Sequence, residues 1–248
     1  AASAEERGTV GTDEATRDIG AIDAGRSAPA EQRPGANAAE GASLRWPDRA
    51  RRRAWGRFLV VFHLTFFPVY FAAGAVAAWS GRATTLHLAF EPAIPLVPWM
   101  IWPYLSVVTL FTLPLMMLEP PAIGALSRRI TVAILVAGVV FVAVPLRSGF
   151  APVAVDGLEA LAFRLLGAVD TPHNLAPSLH VALGALVALA CARAASTGWR
   201  IGLALWTALL SASTVLVHQH HLVDVATGLA LAVAIDRVMR RPAGADGR

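Results

Sequence analysis

The feature that most restricts this chain is a series of apolar runs at 58–79, 99–118, 130–146, 178–195, 199–217 and 222–235. A helix crossing the hydrocarbon layer needs about 20 mostly apolar residues, with a range of roughly 17–25. The first, second, third and fifth runs meet that requirement unaided. The fourth opens with Ser178 and His180, and the sixth begins at a histidine cluster, so both span only with their polar ends at an interface or inside a bundle. The runs predict an all-α, polytopic membrane helix bundle with about six transmembrane helices. Pro68 and Pro114 lie within spans, where neighbouring helices satisfy the freed carbonyls.

Residues 1–47 differ in character, with almost no large apolar side chains, and are expected to form a disordered tail. The tail lacks the charged-then-apolar profile of a cleavable signal peptide. The membrane domain is expected over 48–240, followed by a short tail at 241–248.

Every fixed positive charge is arginine, because the chain has no lysine. The arginines cluster between apolar runs rather than forming a stripe, which argues for membrane orientation and against nucleic acid. From Arg45 onward, one side of the expected bundle holds fourteen arginines and the other only Arg82, Arg147 and Arg164. The positive-inside rule then places both termini in the cytoplasm, in a cytoplasmic (inner) membrane. The connections at 80–98 and 147–177 and the junction near 218–221 face outward, with six of the seven histidines. The single cysteine, Cys191, cannot form an intrachain disulfide. Oligomeric state is left open.

Several features have simple structural readings. Leu158, Leu161, Ala162, Leu165 and Leu166 recur at helical spacing and predict a short helix, lying on the membrane surface or packed as a lid. His63 is expected to be buried and hydrogen-bonded. Trp99, Trp102 and Tyr104 are expected in an interfacial aromatic belt. Arg51, Arg52 and Arg53 form a topology anchor, and Gly228 allows close helix packing.

Two outward stretches carry reactive groups. In "TPHNLAPSLH" (171–180), Pro177 and Ser178 suit a helix start, whose free N–H groups favour an anion. In 213–224, Ser213 and Thr214 precede His220, and Asp224 follows it by one helical turn. A carboxylate there would fix the imidazole tautomer and leave its other nitrogen free to attack or accept a proton. A metal site drawn from His218, His220, His221 and Asp224 would leave Ser178 and His180 unexplained. A transport pathway would spread its ionisable groups along a span rather than gather them at one face.

"PSLH" at 177–180, followed 33 positions later by Ser-x6-His-x3-Asp, resembles the type 2 phosphatidic acid phosphatase superfamily. Leu179 and Thr214, with the stretches 94–106, 128–147 and 172–180, resemble its inositol phosphorylceramide synthase-like branch. The resemblance covers about residues 58–235. It implies phosphoryl transfer through a phosphohistidine, with no metal or other cofactor. His220 would be the nucleophile, Asp224 its partner and His180 the general acid and base. Ser178 with the amides after Pro177, and Ser213 and Thr214, would hold phosphate oxygens. The implied substrate is a lipid phosphate or diphosphate, hydrolysed or transferred as a head group to an alcohol.

Two departures matter. The superfamily's first motif begins with lysine, which this chain lacks, and Thr214 stands where its third motif has arginine. A phosphate still needs cationic partners. Arg147 is the first candidate and Arg164 the second. His173, beside Asn174, and His218 or His221 are further candidates, and His221 also has a reading as a packing residue.

Overall fold

Eight α-helices and two single-turn 3-10 segments make up the regular structure among the described residues. The structure is a computed structural model and describes residues 44–152 and 154–240. The expected tail at 1–47, apart from its last four residues, and the tail at 241–248 lie outside the described residues. The helices are α1 (Arg49–Ser80), α2 (Ile101–Leu110), α3 (Leu113–Met117), α4 (Pro120–Ala143), α5 (Gly157–Val169), α6 (Leu179–Ala194), α7 (Thr197–Leu216) and α8 (Leu222–Val238). Three of them, α1, α4 and α7, are long and apolar enough to cross a membrane.

Local chemistry sets the helix ends. The Asp48 carboxylate accepts from the Arg51 N–H at 2.8 Å and starts α1. Gly81 ends it with a φ of 63°, a left-handed conformation glycine adopts without a Cβ clash. Pro68 lies inside α1 without ending it.

The second apolar run is not one helix, as expected, but two. α2 stops at Leu110, the residue four before Pro114, because the proline ring meets that carbonyl and supplies no N–H. The Phe111 carbonyl at the break is taken by the Trp55 indole N–H at 2.8 Å.

The third run also starts earlier than its apolar residues indicate. Pro120 sits at the first position of α4, where a missing N–H costs nothing, so Arg128 and Arg129 ride on a helix instead of a connection. In place of a purely surface anchor, Arg51 is buried and pairs with Glu119 just before α4. His63 is hydrogen-bonded, to its own helix at Leu59 O (2.7 Å), but it is exposed, because among the described residues no helix packs on its face of α1.

Contacts at the two ends show that the long helices alternate in direction, with α2 and α3 running the same way in succession. At one end, Arg45 N–H donates to Met116 O and Arg51 pairs with Glu119, so α1 starts where α3 ends and α4 begins. At the same ends of their own helices, Arg193 of α6 and Arg240 after α8 both bond to Asp236 of α8, and Arg129 of α4 joins them. At the other end, Thr84 pairs with Leu146 in an isolated bridge beyond α1 and α4. Val97 N–H donates to Leu216 O, and Ser178 N–H to Asp224 O, each at 2.9 Å.

The core centres on α6, which packs against α2, α3, α4, α7 and α8. Eleven of its 16 residues are buried, so it is apolar on all sides as a fully enclosed helix must be. α5 fulfils the helix expected from the 158–166 periodicity. Its Ala162, Phe163 and Leu166 face Met100, Ile101, Tyr104 and Val217, while Leu158, Leu161 and Leu165 point away from the protein.

Candidate active site

Ser178 is the N-cap of α6, its hydroxyl accepting from the Val181 N–H at 3.4 Å. One residue into the helix, His180 presents a ring stacked on Tyr104, with centroids 4.0 Å apart and an 18° tilt. Its Nε2 is buried with no hydrogen-bond partner among the described residues. Tyr104 is buried, not in the expected exposed belt; Trp99 and Trp102 are the exposed ones. The reason is register: Tyr104 lies on the α2 face that meets α6.

The α7–α8 junction is a tight reversal. The Thr214 carbonyl accepts from both Gln219 and His220 N–H at 3.0 Å, and His218 adopts a left-handed φ of 59°. α8 starts at Leu222, so His220 precedes the helix instead of sharing its face with Asp224. The pair still meets: His220 Nδ1 is 3.5 Å from Asp224 Oδ2. That distance is long for a hydrogen bond, and such bonds commonly tighten when substrate arrives. Asp224 Oδ2 accepts from the His221 N–H at 2.8 Å, capping α8, while Oδ1 has no partner among the described residues. Since Nδ1 faces the carboxylate, Nε2 of His220 is the nitrogen left for chemistry.

Gly228 brings the two motif segments together. A Cβ there would stand 2.6 Å from Ser178 O, so α6 and α8 approach as closely as the sequence predicted. The Ser178–Asp224 backbone bond joins the same two starts. Ser178, His180, His220 and Asp224 thus gather at one end of the bundle.

The other candidates are distributed around this group. Ser213 and Thr214 are buried, and each hydroxyl donates to a carbonyl of its own helix, Leu210 O at 2.7 Å and Ser211 O at 2.8 Å. Both hydroxyls are thus engaged within α7. Arg147 is exposed, next to Leu146, which packs on Leu175 and Ala176 of the 171–180 segment. Asn174 is buried and donates to Tyr70 O at 2.7 Å, and His173 Nδ1 is unpartnered.

Arg164 and His218 line a cleft of about 380 Å³ with Ser148, Phe150, Phe163 and Gln219; none of His180, His220 and Asp224 lines it. His218 stacks on Phe150 at 4.1 Å and bonds to Ile94 O at 3.0 Å. Burial holds its imidazole below the usual histidine range.

Glu91 is a residue the sequence reading passed over. It is fully buried on the 81–97 connection and bonds to His221 Nδ1 at 2.9 Å. A signal existed: it is the one acidic residue between Gly81 and Pro98, in an apolar setting. Burial pushes its carboxyl up, but N–H donors from Leu88, Leu222 and His221 outweigh that and hold it below the ordinary value of 4.5.

No protein-family model, curated protein or solved structure matches the chain, so these residues themselves carry the functional reading.

Proposed function

We propose that this chain is an integral membrane phosphatase that hydrolyses a lipid phosphate or diphosphate through a phosphohistidine at His220. The observation that carries the reading is the meeting of two distant motifs. Ser178 N–H bonds to Asp224 O, which sets His180 and the His220–Asp224 pair at one end of the bundle. Six passes, with the arginine-rich end in the cytoplasm and the histidine end outside, accord with the alternating helix directions and the positive-inside rule.

In the first step, His220 Nε2 attacks phosphorus and the bond to the leaving oxygen breaks. Protonated His180 gives its proton to that oxygen, while Asp224 stabilises the Nδ1–H of the phosphoimidazole. In the second step, His180 takes a proton from water, the hydroxide oxygen bonds to phosphorus, and the N–P bond breaks to regenerate neutral His220. Amides at the α6 start receive the phosphate oxygens, where negative charge develops. Arg147 supplies the cation that the missing lysine and arginine would have provided.

A second reading, transfer of a phosphorylated head group to a lipid or other alcohol, is favoured by one observation. The cleft lined by Arg164, His218 and Gln219 does not include His220 itself, but its wall ends at the residue before it and offers space for an acceptor. The alcohol would replace water in the second step.

The test is a panel of lipid phosphates and diphosphates, with and without an alcohol acceptor, following free phosphate and new phosphodiester. Turnover lost in both His220→Ala and His180→Ala is the expected result. Turnover retained in both folded, inserted variants overturns the proposal. A reporter fused after residue 248 should be cytoplasmic, and a periplasmic signal would reverse the assigned orientation.

A further inference from the structure

The His221 ring is 1% exposed and both of its nitrogens are engaged. Nε2 lies 2.9 Å from the Gly149 N–H. An amide N–H only donates, so Nε2 accepts, and Nδ1 carries the proton of a neutral ring. Nδ1 donates to Glu91 Oε2, which also accepts from the Leu222 N–H, both at 2.9 Å. Glu91 Oε1 accepts from the Leu88 N–H at 2.8 Å. His87 and Phe150 stack against the same imidazole.

These bonds connect three segments that are remote in sequence. Glu91 belongs to the connection after α1, and Gly149 lies two residues beyond Arg147. His221 and Leu222 form the start of α8. The His221 N–H in turn holds Asp224 Oδ2, the oxygen facing His220. One buried carboxylate and one neutral imidazole therefore lie between the nucleophile's partner and the segment bearing the candidate phosphate cation.

We infer that Glu91 and His221 are a positioning pair that holds the His220–Asp224 couple and the Arg147-bearing segment in register. The inference rests on the proposed phosphatase reading for its catalytic consequence, though not for its geometry. Neither side chain needs to touch substrate. Their effect is on where Nε2 of His220 stands relative to the bound phosphorus, and displacement of about 1 Å can cost on the order of a hundredfold in rate.

The experiment uses the full chain in lipid nanodiscs, with histidine labelled by nitrogen-15, and the variants Glu91→Gln and His87→Leu. At neutral pH, His221 should give the resonance pattern of a single neutral Nδ1–H tautomer, and a mixed pattern overturns the inference. The His220 resonances should shift in Glu91→Gln and stay in place in His87→Leu, which removes a stacking ring and its bond to Leu88 O but leaves the Glu91 and Gly149 bonds to His221. Unshifted His220 resonances in Glu91→Gln also overturn it. Where the phosphatase reading holds, Glu91→Gln should lower kcat about tenfold or more, with KM changed less than about threefold. An unchanged kcat overturns the positioning role. Turnover that survives in His220→Ala and His180→Ala rejects the phosphatase reading instead, and the resonance arms still decide the geometry.

Discussion

Two buried carboxylates, at opposite ends of the bundle, satisfy their charge in opposite ways. Asp236 is met by guanidinium groups: Arg193 and Arg240 bond to it, and Arg129 Nε lies 3.6 Å away. Asp224 is met by a backbone amide and the His220 imidazole, and one of its oxygens is left without a partner. Arginine stays protonated at any physiological pH, so the Asp236 cluster is a permanent ionic tie between α4, α6 and α8. A neutral imidazole offers one nitrogen as acceptor and the other as donor, whereas guanidinium only donates, so under the proposed function the Asp224 end holds a proton-transfer group that the Asp236 end lacks. Under the proposed function, the difference between locking a bundle and working at its rim lies in which basic side chain accompanies the carboxylate.

The sharpest way to break that comparison is to damage each end in turn. His220→Ala should reduce phosphate release at least about a thousandfold while leaving the thermal midpoint close to that of the wild type. Asp236→Asn should do the reverse. Breaking a fully buried ion pair costs roughly 3–5 kcal/mol, and the exposure of Arg193 and Arg240 reduces this to about 2 kcal/mol. Thermal unfolding in detergent, with turnover measured per folded molecule, separates the two; equal loss of activity in both variants would erase the distinction.

Gly228→Ala is the next largest perturbation. Its Cβ would meet the Ser178 carbonyl, which is backbone and does not yield as a side chain would, so α6 and α8 must separate. A stability cost of about 1–3 kcal/mol is expected. Turnover should fall up to a hundredfold, on the order expected for misplaced catalytic groups. Wild-type kinetics in this variant would show that the close approach of the motif segments is dispensable.

Tyr104→Leu removes the aromatic face under His180 while keeping the site apolar. Aromatic pairs contribute about 0.5–1.5 kcal/mol beyond burial, so turnover should fall by a few-fold to about tenfold. A larger loss, with KM unchanged, would make Tyr104 a direct participant in proton transfer.

The smallest effect is a pH dependence at Glu91. Its folded value lies below the ordinary 4.5, so its stabilising contribution is fully present above that value and is lost as pH falls through the folded one. The difference in thermal midpoint between the wild type and Glu91→Gln should be constant near neutrality and shrink only as pH falls below about 4.5. A difference that fades already near pH 6 would mean that a histidine governs it.

Much of this architecture was legible in the chain because apolar length, helical period and capping residues act locally. The runs located α1, α4, α6, α7 and α8, the leucine spacing located α5, and Ser178 marked the start of α6. Where the reading failed, the missing information was longer in range. The apolar run 99–118 hides a break whose freed carbonyl is held by Trp55. Arg51 resembles a surface anchor until Glu119 arrives from the start of α4.

The motif residues could be singled out by order and spacing, since Ser178, His180, His220 and Asp224 follow a recognisable pattern in one dimension. Glu91 could not be assigned a partner in the same way, because His221 is 130 positions distant. By itself, the sequence determined a helical bundle with membrane-length apolar helices and chemistry-bearing residues gathered at helix starts, since hydrophobic burial and helix periodicity are properties of short segments. Spacing had already paired His220 with Asp224; tertiary structure alone decided that this pair forms ahead of α8 and that His221 is clamped by Glu91 and Gly149. A hydrogen bond depends on where two atoms meet in space, and these partners come from three separate connections.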